Sequence, residues 1–216
     1  MAKLLSKLTD IITHGFHTAF RKDINRIDSE ILRIGHSGGD INPWFDRLHT
    51  FSELLDYHAR GEEAAVFPAF DKLTPSVVQT YLLDHRILDN MTAGLEQIRK
   101  SPDFTAVTRA SAVLQSHLRI HLDKEDAYIY PVLGQRLTDD EQAAITNTMA
   151  SKVPPEKFPI VIQWLFPLLN LEDQVLVARA WSSLMPSQVF AGVKHLIEGA
   201  TGENWVLLTR RVPELK

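Results

Sequence analysis

The sequence contains no cysteine. This absence excludes disulfides, thiolate nucleophiles, iron–sulfur clusters and cysteine-ligated zinc sites together. Histidine and carboxylate side chains are therefore the groups left to hold any metal ion, and the chain has nine histidines among its 216 residues.

Long apolar runs and dense basic runs are also missing. The longest apolar stretch, residues 158–171, is interrupted by Gln163 and by two prolines, and it is shorter than the ~20 residues of a membrane-spanning helix. Lysine and arginine total 23 against 27 acidic residues, a net charge of -4, so the surface is not one that attracts nucleic acid or anionic lipid. These absences predict a soluble, cytoplasmic protein with neither a nucleic-acid nor a membrane partner.

The alternating patterns and Asn-Gly or Asp-Gly turns of β-hairpins are absent, whereas helix signals recur along the chain. The sequence predicts an all-α fold, with a first helix from about residue 4 to residue 34. Three further helix starts are predicted where proline follows a polar residue, because proline's missing amide proton is not needed there: Asn42-Pro43, with Asn42 as the cap, Thr74-Pro75 and Ser101-Pro102. Short connections force antiparallel neighbours, so residues 1–136 are predicted to form an up-down-up-down four-helix bundle.

The C-terminal extension, residues 137–216, has different sequence features. Thr138 and Glu141 have the spacing of a capping box, and Val153 is followed by two prolines that break the chain. Helices are predicted at about 156–169, 171–184 and 187–198, with a last amphipathic piece around Trp205. The extension has a single histidine, so we interpret it as a helical lid, brace or interface that packs on the bundle, on a second copy or on another protein.

Two stretches of the predicted bundle, residues 58–70 and 121–133, are copies of one another without a gap. Each has a histidine, a glutamate four residues later, a second acid, an alanine, a β-branched residue, an aromatic residue and a proline. Positions i and i+4 lie on the same face of a helix. His58 with Glu62, and His121 with Glu125, therefore each present two ligand-type groups in one direction.

Each predicted bundle helix also has an apolar stripe at three-and-four spacing, and histidines lie in phase with it. We expect all of these side chains to face the core. The stripes comprise, in chain order, His17, Phe20, Ile24, Ile27 and Ile31; Trp44, Leu48, Phe51, Leu55, His58, Glu62 and Val66; Val78, Tyr81, His85, Leu88 and Thr92; and Val107, Ala110, Leu114, His117, His121, Glu125, Tyr128 and Val132.

One histidine on such a stripe is more often a core imidazole than a metal ligand. Four in register favour a metal site, because the accompanying Glu62 and Glu125 are costly to bury without a compensating cation. Imidazole and carboxylate without sulfur suit iron, manganese or zinc, and this many ligands suits two ions bridged by the glutamates. His36, in a predicted loop, and His49, out of phase, are expected to face solvent.

These residues resemble the hemerythrin-like (HHE) family, whose pattern is a histidine on helices one and three and His-x-x-x-Glu on helices two and four. The similarity covers about residues 10–136, and the matching positions are His17, His58, Glu62, His85, His121 and Glu125. The resemblance implies a four-helix bundle that holds two iron ions, with both glutamates as bridges. It also implies that His17 and His58 bind one iron, while His85 and His121 bind the other.

The sequence departs from the oxygen-carrying members of that family at one position. Those proteins have a fifth histidine one turn after the helix-three ligand, where this chain has Asp89. Asp89, His117 or water are the candidates for the missing ligand. His14 is an alternative to His17.

The first functional hypothesis is a non-heme di-iron protein that binds dioxygen or a related small molecule, for carriage or for sensing oxygen, iron or redox state. Ligand charge supports binding over enzymatic oxygenation, because two carboxylates stabilise high-valent iron less than four do. The alternative is an enzyme that uses the same site on peroxide, ferrous iron or nitric oxide. A third hypothesis is a metal-free helical interaction module.

Overall fold

The computed structural model describes residues 7–216, which are mostly helical and include no strand. The prediction of an all-α fold is therefore confirmed. None of the helices in this part of the chain has both the length and the apolar composition of a membrane span. Two compact units are present: the bundle unit, Phe20–Ala127, and the terminal unit, which combines residues up to 19 with Tyr128–Lys216. The predicted domain boundary between residues 136 and 137 stays a prediction.

Four helices make the bundle unit: α1 (Thr18–Ser37), α2 (Asn42–Gly61), α3 (Val78–Ile98) and α4 (Phe104–Lys124). Helix α2 continues through Glu62–Val66 into the short helix Phe67–Leu73, and α4 continues through Glu125–Ile129 into Tyr130–Arg136. Short connections make successive helices antiparallel.

Side-chain contacts show which helices of the bundle unit are neighbours. Each pair of adjacent helices shares a polar contact: Trp44 Nε1 donates to Ile27 O (2.8 Å), Ser111 Oγ to Asp28 Oδ1 (2.9 Å), Arg99 to Asp46 Oδ1 (2.5 Å), and Lys124 to Asp84. These contacts join α1 to α2, α1 to α4, α2 to Arg99 at the end of α3, and α3 to α4. Each helix thus has two neighbours, and the predicted stripe residues Phe20, Ile24, Ile27 and Ile31 are fully buried as expected.

Two helix ends near the first connection differ from the prediction. Helix α1 continues past Gly35 to Ser37, so His36 lies in its last turn and not in a loop. Asn42 is the first residue of α2 and not its cap. Its backbone N–H and its side-chain amide both donate to Asp40 Oδ1, at 2.9 and 2.8 Å.

The other two proline signals, unlike Asn42-Pro43, lie outside the helices they were expected to open. Thr74-Pro75 and Ser101-Pro102 are in the turns that precede α3 and α4. At this distance from a helix, proline stabilises the preceding turn, because its fixed φ matches the φ that the turn requires. Asp103 is the cap of α4, since its carboxylate accepts from the Thr105 N–H at 3.1 Å.

Three stretches of the described chain are π-helical where regular α-helix was expected: Asp10–His17, Glu62–Val66 and Glu125–Ile129. A π turn accommodates an additional residue, so every later side chain changes its direction relative to the preceding helix. This change explains an error on the fourth helix. Tyr128, predicted to face the core, is 64% exposed, whereas Ile129 and Tyr130 are buried.

The terminal unit brings the start of the chain together with its end. Its α-helices after residue 137 are α5 (Asp139–Ala150), α6 (Phe158–Leu165), α7 (Leu171–Leu184), α8 (Ser187–Thr201) and α9 (Trp205–Arg211). The capping box at Thr138 is confirmed, because both reciprocal hydrogen bonds with Glu141 are present. Helix α7 packs directly on the π-helical segment Asp10–His17.

Asp10 is a buried carboxylate at the start of that segment. Burial raises the pKa of Asp10 from 3.8 to about 6, and the nearby His14 opposes the rise only in part. The folded state therefore binds this proton more tightly than the unfolded chain, and stability falls as pH rises from about 4 to about 6. We expect Asp10→Asn to raise the free energy of unfolding by about 2 kcal/mol near pH 7.5, with a much smaller gain near pH 4.

Urea unfolding at the two pH values measures this effect, with Glu203→Gln as a control at an exposed acid. Only the difference between variant and wild type is informative, because other groups titrate in the same range. An equal gain at both pH values would show that the change is unrelated to ionisation of Asp10.

Candidate metal centre

Four buried side chains of the bundle unit converge on one point: Glu62, His85, His121 and Glu125. Each offers one ligand atom, and these atoms all lie within 4.8 Å of one another. Both carboxylates are completely buried. The structure thus brings together four of the six side chains predicted as metal ligands.

Short contacts connect the glutamates to the imidazoles and include a fifth predicted ligand, His58. Glu62 Oε1 lies 3.2 Å from His58 Nε2, and Glu62 Oε2 lies 3.4 Å from His85 Nε2. Glu125 Oε2 lies 3.4 Å from His121 Nε2, and its Oε1 lies 3.9 Å from His85 Nε2. Each carboxylate therefore faces two imidazole Nε2 atoms, those of His58 and His85 for Glu62 and those of His85 and His121 for Glu125.

The two π turns of the bundle helices begin at the two glutamates, Glu62 and Glu125. The preceding histidine of each pair lies on regular α-helix, where i and i+4 share a face. Such turns are found frequently at functional sites. The repeat seen in the sequence is therefore also a repeat of backbone conformation, with the change of helix type at the same position in both copies.

Two further carboxylates contact the outer nitrogens of the imidazoles, and the sequence analysis missed both. Glu63 Oε1 lies 3.0 Å from His85 Nδ1, and Asp84 Oδ2 lies 3.5 Å from His121 Nδ1. A carboxylate at Nδ1 favours the proton there and leaves Nε2 for a metal. Burial alone lowers the pKa of His85, but its hydrogen bonds with Glu62 and Glu63 raise it above the usual value.

Lys124 keeps the second of these outer carboxylates charged. Burial tends to raise the pKa of Asp84, but the hydrogen bond and charge of Lys124 outweigh it and lower the pKa, with a smaller contribution from His121. Glu63 is the second acid of its copy of the repeat, so the sequence does contain a signal for it. That signal is ambiguous, because Asp126, at the equivalent position in the other copy, accepts from Arg21 at 2.7 Å.

The charges at the centre favour a bound cation. Burial, and next the neighbouring Glu62 carboxylate, raise the pKa of Glu125 well above its usual range. Two carboxylates this close resist simultaneous ionisation, and a cation between them removes that repulsion. Imidazole nitrogen with carboxylate oxygen suits iron, manganese or zinc, so the donor set fits a metal centre.

A small pocket adjoins Glu62 and the three imidazoles of His58, His85 and His121. It is lined by Leu55, His58, Ala59, Glu62, His85, Leu88, Asp89, His121 and Leu122, and it has room for about one water-sized molecule. Asp89, where the chain departs from the oxygen carriers, is exposed to solvent but also forms part of this lining. Burial, followed by the nearby Asp56, raises the pKa of Asp89.

The sixth predicted ligand, His17, belongs to the terminal unit. Its side chain is fully buried, and its ring packs edge-on against Tyr130 with the centroids 5.4 Å apart. His14, the alternative, is 40% exposed and lies 3.5 Å from Asp173 of α7. Burial thus favours His17 over His14, and ligation by His17 stays a prediction.

Three other histidines lie outside the four-residue cluster. His117 Nε2 is 3.9 Å from Asp84 Oδ1, so its contact is with an outer carboxylate. His49 is mostly exposed beside Glu96, and His36 is exposed with Nδ1 2.7 Å from Leu32 O. The predicted exposure of His36 and His49 is confirmed.

Residues 12–133 match the family model described as the Hemerythrin HHE cation binding domain, and this is more than half of the chain. No solved structure matches the chain significantly.

Three proteins of Arabidopsis thaliana are similar to the chain: two BRUTUS-like zinc finger proteins, at 22 and 23% identity, and zinc finger protein BRUTUS, at 22%. The matches cover 80 to 81% of this chain but only 14 to 15% of the relatives, so the chain spans a small part of their length. The family match ends at residue 133. A match that covers 80% of the chain is too long to fit before that residue, so the similarity extends into the C-terminal helices.

Proposed function

The chain belongs to the hemerythrin HHE cation-binding domain family, and on this basis we propose that it holds two iron ions bridged by Glu62 and Glu125. Dioxygen or another small ligand binds at this pair, for oxygen carriage or for sensing oxygen, iron or redox state. The family membership confirms the resemblance recognised in the residues. The identity and number of the ions and the nature of the ligand are the proposal.

The observation that carries the proposal is the buried cluster of Glu62, His85, His121 and Glu125, with ligand atoms within 4.8 Å of one another. Two completely buried carboxylates in one core are unfavourable unless cations compensate them. The family pattern assigns His17 and His58 to one iron. It assigns His85 and His121 to the other.

Iron, when bound, supplies the change of oxidation state and the open position that a small ligand requires. The protein supplies orientation and exclusion of water. Glu63 and Asp84 direct Nε2 of His85 and His121 towards the glutamates. The rings of Phe20 and Phe67 pack on His58 and His85, at centroid distances of 5.3 and 5.0 Å, and limit access of solvent.

The size of the pocket supports a small ligand. The pocket has room for about one water-sized molecule, so a ligand of a few atoms is favoured over a large organic substrate. The name zinc finger, carried by the Arabidopsis relatives, contributes nothing here, because a chain without cysteine has no counterpart of a cysteine-ligated finger.

Metal analysis of protein expressed with iron available, together with an optical spectrum in air, tests the proposal. We expect two iron ions per chain and a stoichiometric spectral change on exposure to dioxygen. Sustained turnover of peroxide, ferrous iron or nitric oxide would support the enzyme alternative. A fully folded chain that takes up no metal would leave only an interaction module.

Asp89 provides a prediction about redox behaviour. A carboxylate in the pocket lining adds negative charge near the iron pair and stabilises the ferric state, so the reduced wild type is expected to oxidise readily in air. Asp89→Asn and Asp89→His remove that charge and should slow oxidation by about tenfold. The histidine variant should approach the behaviour of an oxygen carrier.

The rate of oxidation of the reduced protein, followed optically, gives the comparison. Asp56→Asn is the matched control, because Asp56 lies close enough to raise the pKa of Asp89 but does not line the pocket. Equal rates in the wild type and both Asp89 variants would exclude Asp89 from the site, and His117 would become the next candidate.

A further inference from the structure

The segment Asp10–His17 is an unusually long π-helix of eight residues, and it ends at the proposed ligand His17. Most π-helical stretches in proteins are single turns within an α-helix. Regular α-helix is the preferred backbone for such a sequence. A segment of this length therefore depends on contacts outside itself to keep its conformation.

Those contacts come from the C-terminal helices of the same unit. Three consecutive residues of the segment each meet one of them: His14 lies 3.5 Å from Asp173, Gly15 lies against Val177, and the ring of Phe16 lies 6.4 Å from that of Trp164. The approach at Gly15 is so close that an added Cβ would lie 2.9 Å from Val177 Cγ2. Valine on a helix has essentially one rotamer, so this methyl group cannot easily move aside.

We propose that helix α7, with Trp164 of α6, holds the segment Asp10–His17 in the π conformation that presents His17 to iron. Val177, Asp173 and Trp164 are then positioning residues for one metal ligand. This inference rests on the proposed function, because it takes His17 as a ligand. It gives the C-terminal extension a role in metal binding that its lack of a histidine–acid cluster conceals.

The expected consequence follows from helix geometry. If α7 is displaced, the segment relaxes towards α-helix and its side chains point in different directions. His17 then no longer has the orientation that its packing on Tyr130 gives it. A partner that moves α7 would therefore weaken the binding of one iron. The cluster of Glu62, His85, His121 and Glu125 would keep its ligands, because it contains no residue of the terminal unit.

Gly15→Ala tests the proposal because its methyl group meets Val177. The double variant Gly15→Ala, Val177→Ala removes the obstructing methyl groups and should restore the packing. Gly94→Ala is the matched control, since an added Cβ there meets no atom within 4 Å. His17→Ala is the reference for loss of the ligand itself.

Two readouts are needed. Amide hydrogen exchange of residues 10–17 in the metal-free full chain should be about tenfold faster in Gly15→Ala than in the wild type. Iron titration should show one of the two ions bound at least ~10-fold more weakly, as for the loss of an orienting contact. Both properties should recover in the double variant and remain unchanged in Gly94→Ala.

The outcomes separate this inference from the proposed function. Two equally tight irons in Gly15→Ala would refute the positioning role, whether or not exchange is faster, and so would a double variant that is not rescued. Undiminished iron binding by His17→Ala would instead remove His17 from the ligand set. A wild type without iron would refute the proposed function itself.

Discussion

Glu62→Ala and Glu125→Ala combined in one chain will yield protein that retains no iron. Each of these carboxylates faces two imidazoles, and each is proposed to bridge both ions, so no ion keeps its main anionic ligands when both are removed. Either single substitution should also release both metals. Iron per chain, measured after purification in excess iron, gives the result.

Substitutions of Glu62 and Glu125 should have opposite effects on the stability of the metal-loaded and the metal-free protein. In the absence of metal, the proximity of Glu62 and Glu125 is unfavourable, as the raised pKa of Glu125 indicates. Glu62→Gln with Glu125→Gln keeps the side-chain volume and should give a metal-free protein at least as stable as the metal-free wild type. Addition of iron should stabilise only the wild type, since only a native state that binds the ligand gains stability from it.

His36→Ala and His49→Ala are the controls, because both histidines are exposed and lie outside the cluster. Each of these variants should retain two irons. Two tightly bound irons in the double alanine variant of the glutamates would refute the assignment of the bridges.

A chain that ends after Ala150 is expected to aggregate and to lose cooperative unfolding of its terminal unit. The truncation deletes a buried apolar set that includes Val161, Ile162, Leu165, Phe166, Val177 and Trp181. Each large side chain of this kind contributes about 1.5–3 kcal/mol when buried. Their combined contribution is of the same order as the 5–15 kcal/mol by which a typical domain is stable, and the surfaces that they covered become exposed.

Size-exclusion chromatography and thermal unfolding measure the effect of the truncation. The matched control is full-length protein cut by a protease at a site inserted in the turn at residues 151–154, which leaves every buried side chain present. The cut protein should remain soluble, because packing and not chain continuity holds the unit together. A truncated chain that is soluble with unchanged thermal unfolding would make the extension an independent module.

Much of the bundle and most of the centre follow from spacing alone. The three-and-four stripes identify buried positions such as Phe20, Ile24 and Trp44, because the α-helical period is constant over long stretches. The i, i+4 pairs identify Glu62 and Glu125 for the same reason. Where the helical period changes, the stripe no longer identifies buried positions. Tyr128 is predicted to be buried but is exposed, because it follows the start of a π turn.

Partners that come from another helix could not be predicted in the same way. Glu63 meets His85 across two helices, whereas Asp126 at the same place in the repeat meets Arg21. Nothing in the local sequence distinguishes these two acids, because the choice depends on what the neighbouring helix presents. The contact of Val177 with Gly15 is a still longer-range example, between residues that no periodicity relates.

The pairing of Asp10–His17 with helix α7 also imposes an order on biosynthesis. Phe16 is translated before the whole bundle unit, whereas its partner Trp164 is translated after that unit, and α7 follows later still. The bundle unit, Phe20–Ala127, is complete long before that, and domains generally fold as they emerge during synthesis. The nascent chain can therefore assemble the cluster of Glu62, His85, His121 and Glu125 while His17 still lacks the helix that packs on its segment, so the proposed ligand His17 is positioned later than the other four.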